Sequence, residues 1–120
     1  MEFSDNKAIY LQITEYVHEN ILAGKWCADE RVPSVRDLAV ELQVNPNTVM
    51  RAYDQLQAGG IIYNKRGIGL HVSADASALI TAKNREIFLN SELPAFFHKM
   101  DLLQISIEEI LRLYKLRPGI

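Results

Sequence analysis

Arg31-Val32-Pro33-Ser34-Val35-Arg36-Asp37-Leu38-Ala39, then Val44-Asn45-Pro46-Asn47-Thr48-Val49, then Gly59-Gly60-Ile61-Ile62 and Lys65-Arg66-Gly67-Ile68-Gly69, is the run of sequence that decides the fold. Ser34 stands where a side chain can cap a helix, with Asp37 three positions on as its capping-box partner. Asn45 repeats the arrangement for a second helix, and Pro46 takes the first helical position, where a missing N–H costs nothing. Gly59-Gly60 stops that helix. Residues 61–64 and 69–73 then read as two short strands around a basic loop at 65–68. Two helices, a tight turn and a basic hairpin are the parts of a winged helix-turn-helix, which places one helix in the major groove of DNA.

Working outward, Tyr10, Ile13, Val17 and Ile21 recur at steps of three and four. They predict an amphipathic helix from about Lys7 to Gly24. Leu38, Ala39 and Leu42 form the inward face of the next helix, and Val49, Ala52, Tyr53 and Leu56 that of the third. Asn47, Thr48, Arg51 and Gln55 are left on the outer face of the third helix. After a polar turn at Ser73-Ala74-Asp75, residues 76–103 read as one long helix that Pro94 must kink or break. Ser106 with Glu109 opens a last helix, which Pro118-Gly119 ends. The expected architecture is α+β and mostly helical: a winged helix-turn-helix over residues 1–74 and a short helical region over 75–120.

The chain has 120 residues and a formal net charge of −2, which by itself weighs against a nucleic-acid partner. The distribution reverses that. Between Arg31 and Val72 five basic residues (Arg31, Arg36, Arg51, Lys65, Arg66) face three acidic ones (Asp37, Glu41, Asp54). Arg36 and Arg51 suit bidentate contact with guanine or phosphate, and Asn47 and Thr48 suit phosphates or base edges. The positive end of the third helix favours a phosphate near residues 45–48. Lys65, Arg66 and Gly67 would lie in or along the minor groove, Gly67 allowing close approach. An ordinary hairpin loop and a solvated helix face are the plainer readings of the same residues; their co-occurrence on one two-helix unit favours DNA.

No catalytic constellation is present, and the expectation is a protein that is not an enzyme and uses no cofactor or metal. His18, His71 and His98 are widely spaced, and His98 with Asp101 is a weak metal candidate. Cys27 is the single cysteine and is expected to be a partly buried hydrophobe beside Trp26. No apolar run approaches the ~18 residues that span a bilayer, so the expected setting is cytoplasmic and off the membrane.

The ordered set Ile9-Tyr10-Leu11-Gln12-Ile13, Ile21 to Gly24, Arg31 to Ala39, Val44 to Val49, Arg51-Ala52-Tyr53 and Gly67 resembles the GntR family of bacterial transcription regulators over residues 8–73. The tail, with Glu92-Leu93-Pro94 and Ser106-Ile107-Glu108-Glu109, is similar to the YtrA subfamily, whose small helical C-terminal part serves dimerisation. The resemblance implies a repressor acting as a homodimer on a palindromic operator. It also implies that Arg36, Asn47, Thr48, Arg51, Arg66 and Gly67 match family DNA-contacting positions. Departures stand at Pro46 and Met50, where many relatives have Arg; at Ala28-Asp29 for a usual Pro-Gly; and at Leu70-His71 for a usual Thr-Phe.

Leu93, Phe96, Phe97, Met100, Leu103, Ile107, Ile110 and Tyr114 are the expected dimerisation residues, because a tail of this size has too little core of its own. A small-molecule effector between two tails is left open, as no residue set points to its chemistry. The competing class is a winged-helix protein-interaction module without specific DNA binding.

Overall fold

The computed structural model describes residues 2–119. Helix α1 (Ile9–Leu22) starts on the stripe read from its periodicity: Ile13, Val17 and Ile21 are buried. Gln12 is buried beside them, and the periodicity gave no hint of its role. Its amide nitrogen donates to the Ser4 and Lys7 carbonyls at 2.8 and 2.7 Å, and its Oε1 accepts from the Ser4 N–H at 2.9 Å. One side chain thereby satisfies three backbone groups and holds the N-terminal segment, where Phe3 packs against the core.

Both internal N-caps form, while the Asp37 carboxylate makes no return bond to the Ser34 N–H, so the capping box at that helix is half complete. Ser34 Oγ accepts the Asp37 N–H at 3.0 Å and opens α2 (Val35–Leu42). Asn45 Oδ1 accepts the Asn47 N–H at 2.8 Å and opens α3 (Pro46–Ala58). The turn between these helices hinges on Gln43, which sits in the left-handed region at φ 56°. Helix α3 packs on both α1 and α2, and Tyr53 inside it donates its hydroxyl to the Pro33 carbonyl at 2.7 Å.

Strands β1 (Ile62–Lys65) and β2 (Gly69–Val72) pair antiparallel, with Ile62 opposite Val72 and Lys65 opposite Gly69. The loop is residues 66–68, closed by Ile68 N–H to the Lys65 carbonyl at 2.9 Å. The connector before α2 lies along the outer edge of β2: Asp29 N–H donates to Val72 O, Val32 N–H to Leu70 O, and Val72 N–H to Glu30 O. This edge pairing lay outside the sequence reading, which had the connector only as a link.

Helix α4 (Ala76–Ile87) begins after the polar turn. The chain divides into two compact units, the first ending at Ala82 and the second starting at Lys83. The turn at residues 73–75 lies ahead of that division, because Ala76 and Ile80 belong to the first core together with Ile13, Leu38, Val49, Leu56 and Ile62.

In the second unit Pro94 is accommodated by a π-helical turn at Phe88–Glu92. Leu93 N–H bonds to Phe88 O, five residues back, and the extra residue in that turn leaves Pro94 within the first turn of α5 (Leu93–Leu103), where no N–H is needed. Gln104, at φ 57°, closes α5. Ser106 Oγ accepts the Glu109 N–H at 3.1 Å to open α6 (Ile107–Leu116).

Candidate nucleic-acid interface

The outward face of α3 carries Asn47 and Arg51, both exposed. Thr48, one turn before Arg51, is half-buried, because its position borders the apolar stripe that begins at Val49. The seat for a phosphate at the start of this helix is poorer in backbone donors than the sequence suggested. Pro46 has none, the Asn47 N–H is taken by Asn45 Oδ1, and the Thr48 N–H bonds to the Asn45 carbonyl at 2.9 Å. An anion there would meet side chains and the helix dipole.

The Arg51 guanidinium lies over the Tyr10 ring of α1, 3.8 Å from its centroid. Stacking on an aromatic face leaves the N–H edge of the guanidinium open to an acceptor while it limits the side chain's rotamers. Periodicity places Tyr10 on the core stripe, while its stacking role needs two helices to be brought together. Arg36 is exposed in the first turn of α2.

At the hairpin Lys65, Arg66 and Gly67 are all exposed, and Gly67 takes φ 78° with open space around it. The turn needs that left-handed glycine, and its missing side chain leaves the tip narrow. None of Arg36, Arg51, Lys65 and Arg66 forms an ion pair; among the described residues the ion pair is Lys7 with Glu15.

Two departures from the family pattern have physical explanations. Asp29, at a position where the resemblance leads one to expect Gly, adopts φ 65°, a conformation Asp tolerates better than most residues. Its carboxylate then accepts the Tyr63 hydroxyl at 3.1 Å, tying the connector to β1. Partial burial and then this hydrogen bond push the Tyr63 hydroxyl above its ordinary pKa. His71 is buried: its Nδ1 is 3.0 Å from the Gly69 carbonyl, and its ring lies 5.8 Å from that of Tyr63.

Cys27 corrects the sequence reading. It is exposed, and its thiol donates to the Gly24 carbonyl at 3.2 Å. The nearby Glu30 carboxylate pushes the thiol pKa up, so the neutral thiol is favoured.

In the second unit, treated by itself, Phe96, Phe97, Leu103, Ile107 and Tyr114 are exposed, and Leu93 and Ile110 are half-buried. Met100 differs from the rest of that set: it is buried at 8% exposure and so offers little surface to a partner. Leu102, Leu113 and Leu116, which the periodicity reading passed over, are exposed as well. No residue of α6 is buried, and Arg117 covers one face of the Tyr114 ring at 4.0 Å. No helix among the described residues is long and apolar enough to cross a membrane.

Comparison with known proteins agrees with this architecture. Residues 9–72 match the model of the bacterial regulatory proteins of the gntR family. Over 110 residues the chain is 30% identical to the uncharacterized HTH-type transcriptional regulator YhcF of Bacillus subtilis, covering 92% of this chain and 89% of that one. It is 40% identical over 72 residues to the HTH-type transcriptional repressor YtrA of the same organism, a match spanning 60% of this chain and 55% of YtrA. A solved structure of a GntR-family transcriptional regulator from Bacteroides thetaiotaomicron superposes with a TM-score of 0.78 at 46% identity, covering 90% of this chain and 94% of that one.

Proposed function

The chain belongs to the GntR family of bacterial regulatory proteins, as a YtrA-type transcriptional regulator, and we propose that it works as a homodimeric repressor on a palindromic operator. The observation that carries the DNA-binding part is the set of cations on the helix-turn-helix and wing that have no carboxylate partner: Arg36, Arg51, Lys65 and Arg66. Uncompensated cations on one small unit supply the counterion release that drives protein–DNA association. Arg51, stacked on Tyr10, reads a base edge or a phosphate from α3; Asn47 and Thr48 flank it; Arg36 contacts the backbone from α2. Lys65, Arg66 and Gly67 follow the adjacent minor groove.

Dimerisation rests on the second unit. Helix α6 has no buried residue, and its apolar side chains Ile107, Leu111 and Leu113 are at least half exposed. Such a surface is stabilised by a second copy, and a two-fold pair sets two recognition helices about one DNA turn apart, on the order of 34 Å. Regulation of this kind needs no catalytic group, and its place of action is the cytoplasm.

Selection of duplexes from a random pool with the full-length protein, followed by footprinting of the promoter upstream of its own gene, tests the reading. Enrichment of an inverted repeat with protection of both half-sites is expected. Enrichment of no sequence would leave the winged helix as a protein-interaction module.

A further inference from the structure

Arg31 is outside the residues assigned to DNA so far. It lies in the connector and pairs with His71 on the outer edge of β2. Its side chain runs toward the wing: a methyl group placed on Gly69 would stand 3.2 Å from Arg31 Nε, 3.4 Å from Nη2 and 3.6 Å from Cζ. The guanidinium is thus laid over the bare Cα of Gly69, the residue opposite Lys65 at the end of the hairpin. Gly69 also has φ 114°, where a side chain would be strained, and a Cβ there would need the Arg31 guanidinium to give by a few tenths of an ångström. Glu30 and Asp37 line the same cleft as Arg31, about 500 Å³ in volume, yet neither pairs with it; the ion pair among the described residues is Lys7–Glu15.

From this we propose that Arg31 is a third wing cation, which contacts a DNA phosphate beside the minor groove that the wing enters. Three features of the placement argue for it. The guanidinium is exposed and lacks a carboxylate partner. It is seated by packing on the glycine, so little side-chain freedom is lost when a phosphate arrives. Its planar fork also matches a phosphate in two-point contact. Three charges, Arg31, Lys65 and Arg66, then surround the hairpin turn, with Arg31 supplied from outside the hairpin itself. The inference rests on the DNA-binding reading above.

Phosphate contacts are counted by the salt dependence of binding. Each one lost should make the plot of log affinity against log salt shallower by about 0.9. The full-length protein, Arg31→Gln and Arg31→Lys are titrated against the selected duplex over a range of salt, with melting curves to check that each is folded. The parent should show a steep slope, Arg31→Gln a slope shallower by about 0.9 for each bound protomer, and Arg31→Lys the parent slope. Arg31→Met, which keeps the stem over Gly69 without charge, repeats the measurement if the Gln variant melts early. A steep parent slope that is unchanged in the uncharged variants, even with weaker binding, would show a structural role and overturn the assignment while leaving the regulator reading intact. A parent that binds no duplex with a salt-dependent slope overturns both.

Discussion

Tyr53→Phe isolates one hydrogen bond that joins the recognition helix to the entry of the helix before it. Tyr53 is 2% exposed, and its hydroxyl reaches the Pro33 carbonyl at 2.7 Å, one residue before the Ser34 cap. The substitution keeps the ring in the core and removes only the donor. The loss is that of a buried carbonyl left without its partner, about 1–3 kcal/mol in general. Pro33 is half-buried, so water recovers part of the deficit and the lower half of that range applies, about 1–2 kcal/mol. For a unit of this size each kcal/mol shifts the melting midpoint by about 4–8 °C, so a drop of about 5–15 °C is expected by calorimetry or circular dichroism. Operator affinity should fall less than stability, since the helices still pack through Leu38, Val49 and Leu56. A melting midpoint within a degree or two of the parent would refute the reasoning, because it would mean the hydroxyl contributes nothing that water does not replace.

Five further outcomes are expected. Burial, with the charges of Glu41 and Tyr16 behind it, holds the Tyr53 phenol above its ordinary value of 10.0 in the folded chain. The unfolded chain therefore releases that proton first, so the stability from neutral Tyr53 is fully present below about pH 10 and is lost as pH climbs toward the folded-state value; urea midpoints at pH 9 and pH 11 should fall more in the parent than in Tyr53→Phe. Arg36→Ala and Arg51→Ala should each weaken operator binding by roughly 1–3 kcal/mol per lost bidentate contact with the fold retained, and fluorescence anisotropy on the selected duplex checks this. Gly67→Glu should weaken binding through charge repulsion and through a left-handed backbone that Glu disfavours; unchanged affinity would place the wing clear of DNA. Truncation after Ala82 should leave a folded monomer with much weaker operator binding, because the second half-site is no longer held at high effective concentration. Truncation after Ser73 should also cost stability, since it strips Ala76 and Ile80 from the core. Sedimentation and melting of the two fragments separate these effects.

What could be read from the sequence was what is decided within a turn or two of chain. The caps at Ser34, Asn45 and Ser106 are side chains bonding to N–H groups two or three residues ahead, so spacing alone locates them. The buried faces of α1, α2 and α3 follow from helical periodicity in the same way. The features that escaped depend on residues far apart in the chain. Tyr10 and Arg51 stack only because α1 lies against α3. The Tyr63–Asp29 bond and the Arg31–Gly69 contact exist only because the connector runs along β2. Pro94 was legible as a disturbance, but the π turn that absorbs it is a choice among local solutions that the residue type does not specify. The polar turn at residues 73–75 marks the end of the hairpin, while the limit of the first core is set by where Ile80 packs.

The central claim, that two copies of this chain engage one operator through their helix-turn-helix units, is tested most directly by a stoichiometric titration. Full-length protein is added to the selected inverted-repeat duplex, and the mass of the complex is read by sedimentation at several salt concentrations. Two protomers per duplex are expected, with an affinity that falls steeply as salt rises. A complex of one protomer with one duplex, or an affinity indifferent to salt and to the repeat sequence, would contradict it.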